Sequence, residues 1–143
     1  VGLLSAAQID VNGNLNSSKL NTKSGKTISL PGSGGAHDIS VLANKVVVVM
    51  PSDPRRFVNN VDFITSPNIP YGNRKGVVGV AMPDGYFSFE TGKAVLQKIY
   101  SDRNAEEIRT SLNWDVEISS TLERINPPSN RILEGANIFL QNN

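Results

Sequence analysis

The chain has 143 residues, with 14 Lys plus Arg against 13 Asp plus Glu and a formal charge of +1. That length suits one domain with a real core, and the charge balance gives no electrostatic reason to expect nucleic acid or an acidic membrane surface as a partner. Cysteine is absent and histidine occurs once, which excludes a disulfide framework, a thiol nucleophile, a thiolate or His-based metal site and any mechanism that needs two imidazoles.

The sequence opens at Val1-Gly2-Leu3-Leu4, apolar and without Met, and reads as part of a longer chain entered in mid-strand. Val1 to Ile9 and Leu15 to Leu20 flank Asp10-Val11-Asn12-Gly13-Asn14. The Asn-Gly pair predicts a tight turn between two strands, with positive φ at both turn positions. Asp10, Asn12, Asn14 and Asn16 alternate oxygens as a calcium loop does. That loop needs glycine at its sixth position and Glu at its twelfth; here Gly13 is fourth and Asn21 is twelfth, so no calcium site is expected. Thr27 to Leu30 predicts a short strand ending at Pro31. A glycine loop follows, Pro31-Gly32-Ser33-Gly34-Gly35-Ala36-His37-Asp38, and Asp38 is the expected N-cap of a short helix running to about Asn44. Lys45 to Met50 contains Val46-Val47-Val48-Val49, apolar on both faces, the pattern of a buried parallel strand packed on both sides.

Ser52 to Asn60 holds Asp53-Pro54-Arg55-Arg56-Phe57 and predicts a loop or a single helical turn. Val61 to Thr65 predicts a strand and Ser66 to Gly76 a loop. Val77 to Met82 and Tyr86 to Phe89 form a hairpin pattern across Pro83-Asp84-Gly85, and Ala94 to Tyr100 another strand. Asn104 with Glu107 resembles a capping box opening a helix to about Leu112. Trp114 to Ile118 alternates as a strand, and Pro127-Pro128 break the chain before a last turn and Ala136 to Leu140. The fold class expected is α/β, a single domain over 1–143 with a mixed, largely parallel sheet and short helices. The longest apolar run, Val46 to Met50, is far short of the roughly 20 residues that span a bilayer. No secretion leader is visible, and a soluble cytoplasmic protein is expected.

Three features carry chemistry. The loop's small residues Gly32, Ser33, Gly34, Gly35 and Ala36 expose backbone amides between a strand and a helix. Such a nest suits an anion or a developing oxyanion, and equally suits a tight connection that needs positive φ twice. It is neither a P-loop, since Ala36-His37 follow its last glycine, nor a dinucleotide fingerprint, since His37 stands where the third glycine belongs. Arg55 and Arg56 beside a proline could grip phosphate by paired donors or stand solvated on the surface. His37 could titrate near a substrate or satisfy backbone groups. The six glutamates Glu90, Glu106, Glu107, Glu117, Glu123 and Glu134 are scattered, and none has an acidic partner for acid–base work. These residues offer an oxyanion site and no nucleophile.

Four stretches, taken together, resemble the B subunit of family I coenzyme A transferases of the glutaconate CoA-transferase type. They are Gly2 to Asp10 with Gly13-Asn14-Leu15-Asn16, then Pro31 to Ile39, then Arg55-Arg56-Phe57-Val58 with Val61 to Pro67, and, more loosely, Leu112 to Val116. The second and third are the specific ones, and order and spacing agree over almost the whole chain. The resemblance implies the C-terminal half of such a subunit, whose glutamate nucleophile belongs to a motif near the subunit's start, before this region. Gly35 and Ala36 would then supply oxyanion amides, with Gly32, Ser33, Gly34, His37, Arg55 and Arg56 around the substrate. It further implies coenzyme A as substrate with no resident cofactor or metal, acyl-CoA and a carboxylic acid as reactants, and an oligomer completed by an A-type subunit and the N-terminal part, inactive without them. Asn68 stands where a glycine usually follows Thr65-Ser66-Pro67 in that family. A ring-opening acyl-CoA hydrolase on the same fold, and a non-catalytic assembly module, are the alternatives.

Overall fold

The computed structural model describes residues 1–89, 93–126 and 128–141; Glu90 and Pro127 lie outside the described residues. The expected first strand is two strands. Gly2–Leu4 (β1) and Gln8–Asp10 (β2) are separated by Ser5-Ala6-Ala7, where the chain leaves one sheet for another. β2 then turns into Leu15–Asn16 (β3). The turn has positive φ at Gly13 (81°) and not at Asn12. Asp10 closes it instead: Oδ1 accepts from the Asn12 and Asn14 amides and Oδ2 from the Asn14 side chain. Local Asx bonding thus replaces the doubly left-handed turn, and it saturates the one charge of the calcium-like run.

Lys19–Asn21 (β4) and Thr27–Ser29 (β5) form a small hairpin, and Ala36–Leu42 is a short helix (α1). Its N-cap is Gly35 rather than Asp38, with no side-chain cap bond; Asp38 lies inside the first turn because Ala36 and His37 are already helical. Val46–Val49 (β6) is the expected parallel strand. A 3₁₀ turn at Pro54–Arg56 leads into Phe57–Val58 (β7). Residues 61–65, expected as a strand, form none. Phe63 and Ile64 stay exposed; Asp62 bonds to Gln8 of β2 and to the Asn21 amide of β4, and Thr65 to the Ser17 amide.

Val77–Met82 (β8) and Gly85–Ser88 (β9) make the hairpin across Pro83-Asp84, followed by Val95–Tyr100 (β10). Ala105–Ser111 (α2) is capped by the Asn104 side chain, which accepts from the Glu106 and Glu107 amides. Glu117–Ile125 (β11) and Asn130–Gln141 (α3) complete the described elements. Trp114 precedes β11 rather than opening it. Trp114 and Val116 alternate inward because they dock as loop residues into the core, 5% and 2% exposed.

The main sheet has the order β1-β6-β8-β9-β10-β11. β1/β6, β6/β8 and β10/β11 are parallel, with an antiparallel β8-β9-β10 centre. A second sheet, β3-β2-β7, shares its core: Ile9, Leu15 and Phe57 cluster with Val46, Val48, Val80 and Leu96. Each such fully buried side chain contributes roughly 1.5–3 kcal/mol. β6 is buried on one face only. Val46 and Val48 are inaccessible, while Val49 is 51% exposed and Leu3, beside Val47, is 69% exposed. The other face, expected to be packed, is open in this chain. Among the described residues no helix is long and apolar enough to cross a membrane.

Candidate functional site

The glycine loop is tied down at both ends. The Leu30 amide donates to Ser18 O at 2.8 Å, Gly32 to Ser17 O at 3.0 Å and Ala36 to Ser33 O at 2.8 Å. Gly32 (φ 96°) and Gly34 (φ 48°) occupy the left-handed region, so their identity follows from the backbone alone. Gly35 is different. Its φ is −86°, which any residue adopts, and a Cβ built on it meets nothing within 4 Å. Among the described residues nothing requires glycine at position 35. The Gly34 and Gly35 amides donate to no group among the described residues, whereas Ala36, the other expected oxyanion donor, already spends its amide on Ser33.

His37 is exposed at the start of α1, with Nδ1 3.1 Å from the Thr65 carbonyl oxygen. A carbonyl only accepts, so Nδ1 carries the proton in this contact. Thr65, 8% exposed, is the positioning residue that sequence reasoning missed. Its Oγ1 accepts from the Ser17 amide at 2.9 Å and donates to Ser18 Oγ at 2.8 Å. One residue thereby joins the loop's anchor, Ser17, to His37. The signal available was the Thr-Ser-Pro run itself, read as the end of a strand.

The two adjacent arginines have different surroundings. Asp53 caps the 3₁₀ turn through the Arg55 amide and binds the Arg55 guanidinium twice, Nε to Oδ1 at 3.0 Å and Nη2 to Oδ2 at 2.8 Å. The Arg55 side-chain bonds, and then its amide, hold the Asp53 carboxyl down at about 2, and Asp53 in turn raises Arg55. Arg55 is 86% exposed. Arg56 turns inward, donating from Nη1 to Ala6 O at 3.1 Å, while its buried Nε makes no hydrogen bond and lies 3.9 Å from Asp53 Oδ2.

Two hollows share Arg56, Ala7 and Leu30 in their walls. One, of about 310 Å³, reaches Ser5, Ser17 and Pro31 at the mouth of the glycine loop; the other, of about 350 Å³, reaches Gln8, Leu20, Asp53 and Arg55. The turn that carries the arginines is braced from the far end of the sequence. Asn113 Nδ2 donates to Pro54 O at 2.9 Å, Trp114 Nε1 donates to Val58 O at 2.9 Å, and the Trp114 ring meets Phe57 edge-on at 5.0 Å. Three of the five described glutamates pair with cations: Glu106 with Arg109, Glu117 with Lys93 and Glu123 with Lys98. None of the five lines either hollow. Among the described residues there is no cluster of His, Asp or Glu that could hold a metal.

A family model described as coenzyme A transferase matches residues 1–82. The chain is 28% identical over 135 residues to the B subunit of glutaconate CoA-transferase from Acidaminococcus fermentans, covering 86% of this chain and 50% of that one. The crystal structure of that enzyme matches with a TM-score of 0.78 and 25% identity, over 92% of this chain and 55% of the other. A shorter match, 39% identical over 66 residues, joins it to the B subunit of 3-oxoadipate CoA-transferase from Pseudomonas knackmussii, covering 46% of this chain and 25% of that one. The decarboxylase AibA/AibB shares the fold, with a TM-score of 0.75 at 22% identity over 94% of this chain and 55% of that one. The chain spans about half the length, or less, of these proteins.

Proposed function

The chain belongs to the coenzyme A transferase family, and on that premise we propose that it is part of a B-type subunit that moves CoA between an acyl-CoA and a carboxylic acid. Its own contribution is the glycine loop. The observation that carries this reading is Gly35: a glycine with ordinary φ, open space over its Cα and an amide without a partner among the described residues. When a thioester carbonyl is attacked, its oxygen becomes negative, and a fixed N–H aimed at that oxygen stabilises the transition state more than the ground state. Gly32 and Gly34 set the loop's path, Ser17 and Thr65 hold it, and the Gly35 amide faces the reacting carbonyl. Ala36 contributes only by sharing the N–H it gives to Ser33. His37, fixed by Thr65, presents Nε2 as an acceptor to a donor of the substrate. Coenzyme A is substrate here, and no resident cofactor is required.

The attacking carboxylate is the B-type glutamate that the family resemblance implies, outside this chain. The rest of the B-type subunit and an A-type subunit therefore complete the enzyme. We place the rest of the B-type subunit against the free edge of β1, where Val1 (88% exposed), Leu3 and Leu42 (70%) border a hollow of about 500 Å³. An unpaired apolar edge of this kind is a pairing surface left open.

The test is a transfer assay on the complete complex, supplied with acyl-CoA and a second acid, with products identified by mass. Exchange of CoA between the acids, lost when the glutamate or Gly35 is altered, is the expected result. Release of free CoA without transfer, or ring opening, sinks the transferase reading. A complex that binds CoA esters without converting them leaves an assembly module in its place.

A further inference from the structure

We propose that Arg56 reads the carboxylate of the incoming acid, in the cleft that joins Ser5-Ala6-Ala7 to Leu30-Pro31; this rests on the transferase reading. A guanidinium has five N–H donors in a planar fork, and two parallel bonds to a carboxylate use that fork fully. Arg55 has made that pairing already, with Asp53. Arg56 has not. Its partner is the Ala6 carbonyl, through Nη1, and no hydrogen bond from Nη2 or Nε occurs among the described residues. Its side chain is 37% exposed, and it lines both hollows. With Nε buried and Nη1 on Ala6 O, Nη2 of this half-buried guanidinium is the donor left for an anion from outside the chain.

Which anion follows from the walls. Ala7, Leu20, Leu30 and Pro31 are apolar and suit a short hydrocarbon with one charged end. A nucleotide's phosphates would need several cations, and the cleft offers one guanidinium with Nη2 unspent, beside the Asp53 carboxylate, which lies 3.9 Å from Arg56 Nε and is held ionised by Arg55. Asp53 opposes any ligand of high negative charge, while a single carboxylate is still met by the free Nη2. The position also fits the chemistry. Ser17 and Pro31 line the cleft, and Ser17 O holds the Gly32 amide at 3.0 Å, so the cleft opens at the mouth of the loop that receives the thioester.

The experiment measures binding of butyrate, acetate and adenosine 3′,5′-bisphosphate to the complete complex without acyl-CoA, by calorimetry, beside its transfer activity. Arg56→Gln is expected to weaken butyrate by about tenfold or more, with Arg56→Lys intermediate because it keeps the charge and loses the fork. Binding of the bisphosphate stays within about twofold, and acetate binds more weakly than butyrate because it leaves the apolar walls unfilled. Weakened bisphosphate with butyrate unchanged overturns the proposal, as does an Arg56→Gln complex that binds both as the wild type does. If Arg56→Gln fails to assemble, Arg56→Lys decides by the same two affinities. Transfer in the wild type with butyrate binding indifferent to Arg56 defeats this proposal alone. Arg56-dependent butyrate binding without transfer defeats the transferase reading and leaves the carboxylate site standing.

Discussion

Asp53 clasps Arg55 with both carboxylate oxygens, at 3.0 Å from Nε and 2.8 Å from Nη2, and so separates two arginines that are neighbours in sequence. The clasp predicts a titration. Asp53 falls from 3.8 to about 2, first through the Arg55 side-chain bonds. Arg55→Ala should therefore bring it back toward the ordinary carboxylate range, read from the Asp53 carboxyl carbon shift against pH. A folded value below the unfolded one stabilises above about pH 3.8 and loses that contribution as pH falls through about 2. The pair lies at the surface, so the stability change is small and is screened by salt. An Asp53 that still titrates near its present value in Arg55→Ala would show that Arg56 or the backbone holds it.

A second prediction concerns Asn68. Its amide nitrogen donates to Asn12 O, its Oδ1 accepts from the Val77 amide, and its own backbone N–H donates to Asn14 Oδ1. It therefore clamps the 66–76 loop onto the first turn and β8. Gly13 and Gly76 flank the clamp with φ of 81° and 65°, and a Cβ on either would press on the Asn68 side chain. Gly76→Ala should destabilise the complex by about 1–3 kcal/mol from backbone strain before any clash is counted. Asn68→Ala should cost about 1–3 kcal/mol by leaving the Val77 amide unpaired. Thermal unfolding of both single variants and the double is the check. A shared clamp gives a double variant less destabilised than the sum, and simple additivity would refute it.

What the sequence revealed, and what it did not, divides largely along one physical line, although the α1 N-cap and the Asn12-Gly13 turn are local features that it misplaced. Features set by a few adjacent residues were legible: the Asn104 cap, the Pro83-Asp84 hairpin, the parallel β6 and the glycine loop. Features set by distant partners were not. Asp53, two positions before Arg55, claims that arginine locally, but what turns Arg56 inward is the Ala6 carbonyl, fifty positions away. Thr65 looks like a strand residue until Ser17 and Ser18 are placed beside it. Trp114 follows the strand alternation because a core position and a strand position both bury every second residue. Its meeting with Phe57 joins two of the four stretches that carried the family resemblance.

Thr65→Val tests the positioning of the loop. Valine keeps the shape and removes both side-chain bonds, leaving the Ser17 amide unsatisfied at a cost of about 1–3 kcal/mol. His37 bonds to the Thr65 backbone oxygen and should stay in place. Hydrogen exchange at Gly32, whose amide is held by Ser17 O, is expected to quicken about tenfold or more as the anchor loosens. Protection at Gly32 equal to the wild type would mean that the Thr65 bonds do not position the loop.

The glycine pair 34 and 35 gives the sharpest separation of chemistry from structure. Gly34 has φ of 48° and Gly35 has φ of −86°, yet neither Cβ would touch anything among the described residues. Gly34→Val must hold a β-branched residue in the left-handed region, so it should lower stability and disturb the loop's path. Gly35→Ala and then Gly35→Val add bulk at a backbone that tolerates a side chain, so the melting temperature of the complex should move little. Turnover should fall in steps, because the added methyls occupy the space through which the thioester oxygen approaches the amide. Loss of one such donor costs about 100- to 1,000-fold in turnover. Affinity for free CoA should stay within a few-fold, since the missing interaction forms only as charge develops on the carbonyl oxygen. Turnover, melting temperature and CoA affinity are measured on each variant of the complete complex. Gly35→Val with near-normal turnover and an intact fold would reduce the loop to a connection between β5 and α1, and the oxyanion role would have to pass to the part of the enzyme that bears the glutamate.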